Sequence, residues 1–312
     1  MSSELRWLHV QHDTRYEYDA AVELAHHLAH LRPRATPWQQ VRDIRLVVSP
    51  APDGEAVHDS LDVFGNWRTV FTHAQVHDSL LVSVSFRAGL EAPPALDVQR
   101  SPPWESVAER LRYRAGKGIE EAEEFVLPSA YVPPDPALAR YAQPVCAPRR
   151  PLLDVALALM RKIHDDFEYQ PAATSVATHA GEALAQRAGV CQDFAHVMIG
   201  ALRSMGLAAR YVSGYLLTQP PPGQPRLVGA DASHAWVAVW CPVLGWVPLD
   251  PTNAVPVALD HVTLAWGRDY ADVAPLRGVI RGGGQAVPQV AVTVEEVGAP
   301  GEQSQTQSQS QQ

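Results

Sequence analysis

Cysteine is scarce in this chain. Its 312 residues include only Cys146, Cys191 and Cys241. An odd set with no CxxC pair makes no disulfide framework and suits a reducing compartment. Runs rich in Lys and Arg are missing and the net charge is −9, so the basic footprint of a nucleic-acid binder is absent and no nucleic-acid partner is expected. No uninterrupted apolar stretch reaches the ~18 residues of a membrane helix, so no membrane association is expected. Met1 to Trp7 offer neither a basic flank nor an apolar segment, so we expect no secretory leader and a cytoplasmic protein. Charged residues make up 19% and hydrophobic ones 46%, a globular composition in a chain long enough for two domains.

Alternation is plentiful in the first part of the chain. Leu80, Val82, Val84 and Phe86 point one way while Ser83, Ser85 and Arg87 point the other, the period of a half-buried strand. Ile44, Leu46 and Val48 form a second such face. Val63 to Phe71 reads as a hairpin turning at Gly65-Asn66. Trp7 to Tyr18 and Val22 to Leu31 are weaker strands. We therefore expect a β-sandwich over residues 1–90. His26, His27 and His30 offer imidazoles to a metal, but no carboxylate or Cys stands at ligand spacing to complete a zinc shell, so the histidines here read as solvent-facing strand residues.

Proline is abundant, with 27 residues, and much of it falls in residues 91–150. This segment reads as a connector around one helix that starts at Pro103-Trp104-Glu105 and runs to about Arg114. From Leu152 the pattern becomes helical. Leu152, Ala156, Leu159, Met160, Ile163 and Phe167 form one buried stripe. A helix near Gly181 to Arg187 leads into another from Cys191 to Met205, with Gly206 as its stop. Strands follow at Ala209 to Leu217, Leu227-Val228, His234 to Trp240 and Gly245 to Asp250. Asn253 to Pro288 mixes loops with a short helix, and Val290 to Val294 is a last strand. Residues 151–297 thus read as an α+β core, and 298–312 as a disordered Gln/Ser tail.

Cys191, His234 and Asp250 carry the chemistry. Taken singly, a helix Cys is usually a small core residue, a strand His is usually structural, and Asp before Pro is usually a turn cap. Their settings matter more. Cys191 heads a helix, where the dipole favours a thiolate and free backbone N–H groups can receive an oxyanion. If Cys241 to Gly245 form a hairpin loop, Trp240 faces Trp246 and Asp250 becomes the diagonal neighbour of His234. A slip of one residue would turn Asp250 away. In that register the three residues supply a nucleophile, a base and a group that orients the base. Cys146 and Cys241 lack such settings and read as structural.

Gly189-Val190-Cys191-Gln192-Asp193-Phe194-Ala195-His196, then Leu202 to Tyr215, resembles the core of bacterial transglutaminase-like proteins. Asp231-Ala232-Ser233-His234-Ala235-Trp236 and Asp250-Pro251-Thr252-Asn253 are similar to that family's His and Asp motifs. The match extends to Gly267 through Pro275, and the first 90 residues, with Phe64-Gly65-Asn66, resemble the N-terminal domain of one branch. The resemblance implies a papain-like transglutaminase core, a helical part plus an antiparallel sheet, behind the N-terminal β-sandwich. It implies Cys191 as nucleophile, His234 as base and Asp250 as orienting group, acting on a peptide or protein substrate through a thioester, with no cofactor. No EF-hand spacing or acidic loop suggests calcium. Hydrolysis is the favoured outcome because prokaryotic members of the fold are often protease-like. Crosslinking of glutamine to an amine stays open, as does a non-catalytic peptide-binding module. Asp193 and His196 are expected as structural support, with His196 packing on the N-terminal domain or the cleft wall. Tyr215 and Trp236 line the cleft or fill the sheet core, and Arg268, Asp269 and Tyr270 rim the site or lock the C-terminal segment.

Overall fold

The computed structural model describes residues 5–54, 57–116, 120–218 and 233–299. The chain begins with β1 (Arg6–Ala29), β2 (Gln39–Ser49), β3 (His58–Leu61), β4 (Trp67–His73) and β5 (His77–Leu90). It continues through α1 (Trp104–Leu111), α2 (Pro136–Ala142), α3 (Leu152–Asp166), β6 (Glu168–Tyr169), α4 (Ala180–Gln186), β7 (Ala188–Gly189) and α5 (Cys191–Ser204). It ends with β8 (Ala209–Leu216), β9 (Ser233–Cys241), β10 (Gly245–Asp250), β11 (Val255–Pro256), β12 (His261–Gly267), α6 (Tyr270–Val273), β13 (Leu276–Gly282) and β14 (Gln289–Val297). The mixed α and β elements are built on two large antiparallel sheets and a short parallel pair, β6 with β7. The strand expected at Leu227-Val228, the Pro220 loop, Asp231-Ala232 and tail residues 300–312 lie outside the described residues.

β1 is one strand of 24 residues where the sequence suggests two. An irregularity between Glu17 and Val22 bends the strand instead of breaking it. Its first half pairs with β5 and β14, and its second half with β4 and β13. Because β1 runs through both halves, the strands join into one seven-stranded sheet. Residues 1–90 are therefore not a self-contained sandwich, and the core does not extend to residue 297. Strands from residues 276–297 return and pair along β1, covering backbone that would otherwise be an open edge.

The alternation of β5 holds: Leu80, Val82, Val84, Phe86, Ala88 and Leu90 are buried, packed with Leu8, Val10, Val292 and Val294. In β2 a bulge between Arg42 and Arg45 leaves Ile44 exposed, so only Leu46 and Val48 keep their face. The histidines correct the sequence reading. His12, His27, His30 and His73 are buried, not solvent-facing, whereas His26 is exposed and bonds Thr72. His27 stacks on Phe71 and His30 bonds the Ala274 carbonyl, so these imidazoles point to different neighbours.

The second sheet has the order β11-β10-β9-β8-β12. The sequence reading missed β12, because His261 to Gly267 is an apolar run without strict alternation. It also missed α2, although Asp135 caps that helix and Pro136 opens it. Ala235, Val237 and Val239 of β9 pack with the helices, while Val212, Trp236 and Ala238 form a separate cluster on the opposite face. α5 is buried along nearly its whole length, from Gln192 to Arg203. A side chain on Gly200 would run into Leu138 of α2, so these two helices touch through a glycine.

Two side-chain amides dock the first sheet on the second. Asn66, fully buried, accepts from the Trp266 N–H at 3.0 Å and donates to the Trp266 carbonyl at 2.7 Å. Gln39 does the same with Thr263, at 2.8 and 2.7 Å. β12 is the edge of its sheet, and these amides satisfy its outward backbone. Val63 and Phe64 belong to the turn before Asn66, not to a strand, and Asp62 organises that turn through the Phe64 and Asn66 N–H groups.

Candidate active site

α5 begins at Cys191. Asp193, three positions into the helix from its cap, turns its carboxylate back to the Val190 N–H at 2.8 Å and accepts from Thr174 at 2.6 Å. Burial raises the Asp193 carboxyl. A side chain on Gly189 would collide with that carboxylate, which leaves glycine as the residue that fits before Val190-Cys191. The Asp193 and Phe194 N–H groups bond the Val190 carbonyl. The earlier N–H groups of the turn, those of Cys191 and Gln192, have no partner inside the helix.

The β9–β10 hairpin has Trp240 opposite Trp246 and Val237 opposite Leu249. This is the register that makes His234 and Asp250 neighbours. His234 Nε2 lies 2.8 Å from Asp250 Oδ2, which leaves Nδ1 for the Cys191 thiol, a second hydrogen-bond partner of the imidazole. Burial works against a charged His234, but the bonds and negative charges of Asp250 and Cys191 outweigh it and push the imidazole up to about 10. Asp250 is fully buried. Desolvation alone would raise its carboxyl, yet the bonds from His234, His261 and Asn253 hold it well below the usual carboxylate range.

Asp250 is more heavily supported than its sequence motif suggests. Oδ1 accepts from the Thr252 N–H at 2.9 Å and the Asn253 N–H at 3.3 Å, and Oδ2 accepts from Asn253 Nδ2 at 2.7 Å. His261 Nε2 lies 3.2 Å from the same Oδ2, and its Nδ1 is 2.6 Å from Asp260. Burial opposes a charged His261, but the two carboxylates raise it. The sequence reading missed His261, because only the β8–β12 pairing brings it back across the sheet. It also missed Tyr169. This residue is 53% exposed on β6, which pairs with β7 just before Cys191. Partial burial and then the Cys191 charge raise its phenol. Nothing in the local pattern around Glu168-Tyr169 signals either contact.

His234, Asp250 and His261 also form the one described group with metal-binding geometry, their ligand atoms within 4.8 Å of one another. A cation there would have to replace both imidazole–carboxylate hydrogen bonds.

The remaining motif residues do other work. His196 is fully buried between Tyr131 and Tyr211, and its Nε2 accepts the Tyr270 N–H at 3.2 Å. Burial lowers it to about 3, so it stays neutral. It packs on the connector and the C-terminal segment, not on the N-terminal sheet. Asp269 accepts from the Tyr131 N–H at 2.7 Å and caps α6. Arg203 donates to the carbonyls of Phe125, Ala209 and Arg268. Together these bonds fasten the connector and residues 268–272 to α5. Tyr215 bonds His12 at 2.9 Å inside the first sheet's core and lines no cleft. Trp236 is buried on the sheet face away from α5. Cys241 is buried and all three cysteines are free. Among the described residues no helix is long and apolar enough to cross a membrane.

Residues 139–251 match the transglutaminase-like superfamily, and residues 8–88 match the bacterial transglutaminase-like N-terminal region. An uncharacterized protein of Mycobacterium tuberculosis is 39% identical over 280 residues, covering 87% of this chain and 86% of its own. A protein-glutamine gamma-glutamyltransferase of Pseudomonas aeruginosa is 36% identical over 129 residues, 39% of this chain and 19% of its own. A candidate cysteine protease from Cytophaga hutchinsonii shares the fold, with a TM-score of 0.75 at 20% identity over 95% of this chain and 92% of its own. The chain therefore belongs to the bacterial transglutaminase-like family.

Proposed function

We propose that this protein is a thiol acyl-transfer enzyme acting through Cys191, His234 and Asp250. One observation carries the reading: a helix-head thiol shares a buried imidazole with a carboxylate whose every other partner is a donor. Such a carboxylate stays charged, fixes the ring and stabilises the imidazolium. The Cys191 thiolate attacks the carbonyl carbon of a peptide or glutamine amide. The oxyanion forms beside the N–H groups of Cys191 and Gln192 at the head of α5. His234 passes its proton to the departing amine, the C–N bond breaks and a thioester remains. Water activated by the now neutral His234 then releases the acid and regenerates the thiol.

Hydrolysis is the outcome we favour. Transfer of the acyl group to a primary amine is the second reading, favoured by the relative named as a protein-glutamine gamma-glutamyltransferase, whose matched segment is short. Both share the first half-reaction, and water exclusion divides them. The free cysteines suit the reducing, cytoplasmic setting read from the sequence.

The test is the rate of Cys191 alkylation by iodoacetamide near pH 6, followed by mass spectrometry in the wild type and in His234→Ala. Fast alkylation that slows in the variant is expected. A rate no greater than that of a free thiol, and indifferent to His234, would remove the basis for the reading. Peptide cleavage with and without a fluorescent amine then separates hydrolysis from transfer.

A further inference from the structure

A cavity of about 480 Å³ opens between the second sheet and the loops around Thr36–Gln39 and Leu90–Pro93 of the first. Its size falls in the range of small-molecule sites, ~300–1,000 Å³. Trp236, Ala238 and Val212 form its floor, and they belong to the sheet face opposite α5. Cys191, His234 and Asp250 do not line it. Trp38, Trp246 and Trp266 add aromatic wall.

Into this apolar space comes one guanidinium. Arg210 is only 8% exposed. It is stacked between two indoles, 4.3 Å from the Trp246 centroid and 3.7 Å from that of Trp266. Its Nε is buried and has no hydrogen-bond partner. Burial, reinforced by Arg34, lowers it to about 9 despite the opposing charge of Glu121. Glu91 and Glu121 also line the cavity, and Glu121 is the carboxylate whose charge Arg210 feels. The Gln39 amide serves Arg34 and Thr263, and Arg34 itself donates to Phe64 and Asn66. Leaving a buried guanidinium N–H without a partner is costly, and such a group calls for an explanation. The two indoles fix the guanidinium plane, so only its N–H edge is left to bond. A planar acceptor with two oxygens matches that edge.

We infer that this cavity is a binding site for a small molecule with an apolar body and a carboxylate, the carboxylate paired with Arg210 and the body lying among Trp236, Trp246 and Trp266. The site is separated from the Cys191 thiol by the sheet. His261, which supports Asp250, is among the residues that line it.

The test is calorimetric titration of the full chain with naphthaleneacetate, indolepropionate and decanoate, each beside its neutral amide. At least one acid is expected to bind saturably, about tenfold or more tighter than its amide. Arg210→Gln should abolish that preference. Val257→Trp, on the loop after β11, should fill the space and weaken acid and amide alike. Should Arg210→Gln fail to fold, Arg210→Lys replaces it, since lysine keeps the charge but not the stacked fork. The inference is overturned if no acid binds saturably up to about 5 mM, if acids and amides bind equally, if the preference survives the loss of Arg210, or if Val257→Trp binds like the wild type.

Discussion

Asp250→Asn tests the candidate site most directly, because the geometry leaves asparagine nowhere to fit. All five partners of the carboxylate are donors. An asparagine must turn its NH₂ either toward His234, His261 and Asn253 Nδ2 or toward the Thr252 and Asn253 backbone N–H groups. In both orientations a donor meets donors. The second orientation is less costly and keeps an oxygen on His234, but it leaves two backbone donors unpaired at ~1–3 kcal/mol each. A rise of the imidazole from 6.5 to about 10 corresponds to about 5 kcal/mol of preference for its charged form, shared between Asp250 and Cys191. Removing the carboxylate takes away the first of the bonds that oppose burial, so the imidazole falls back toward or below its ordinary range, and Cys191 alkylation at pH 6 should slow by about tenfold or more. The sign follows from the direction of the shift. The wild-type imidazole remains charged up to about pH 10, whereas the variant's loses its proton at lower pH and ceases to stabilise the thiolate. Toward pH 9 an ordinary thiol ionises unaided, so the two rates should converge. Iodoacetamide kinetics across this range, with circular dichroism to verify folding, reads the effect. A folded variant within about threefold of the wild type at pH 6 would refute the argument.

Other perturbations probe the supports. His261→Phe removes one donor from Asp250 and should slow alkylation about 3- to 10-fold with the fold intact; an unchanged rate would make His261 a bystander. Gly189→Ala drives a methyl into the Asp193 carboxylate, so both melting temperature and alkylation rate should fall, and unchanged values of both would contradict the close approach. Asn66→Ala orphans the Trp266 backbone and should cost about 2–4 kcal/mol in urea unfolding; a loss below about 1 kcal/mol would mean that the docking amide is dispensable. The Asp250 carboxyl is depressed in the folded state, so its stabilisation is present above pH ~4 and lost as pH falls further. Acid titration of unfolding free energy should show this loss in the wild type and a flatter acid limb in Asp250→Asn.

Parts of this architecture were legible because they are local. The alternation of β5, the stripe of α3 and the helix headed by Cys191 depend on residues close in sequence. The hairpin between Cys241 and Gly245 is short enough that loop length set the register, and with it the pairing of His234 and Asp250. Where the reading failed, distance or context intervened. A bulge moved Ile44 to the surface. His12 and His30 were buried against partners that arrive from far along the chain, Tyr215 and the Ala274 carbonyl.

The order of Cys191, His234 and Asp250, the helix start and the hairpin register were determined by the sequence alone, since period, capping and turn length act over a few residues. Tertiary structure decided the rest. It brought His261 to Asp250 through the pairing of β8 with β12. It returned β13 and β14 to the first sheet, and it stacked Arg210 between Trp246 and Trp266. Each of these joins segments well apart in the chain. Their juxtaposition depends on shared burial and on satisfied backbone edges, which no local pattern encodes.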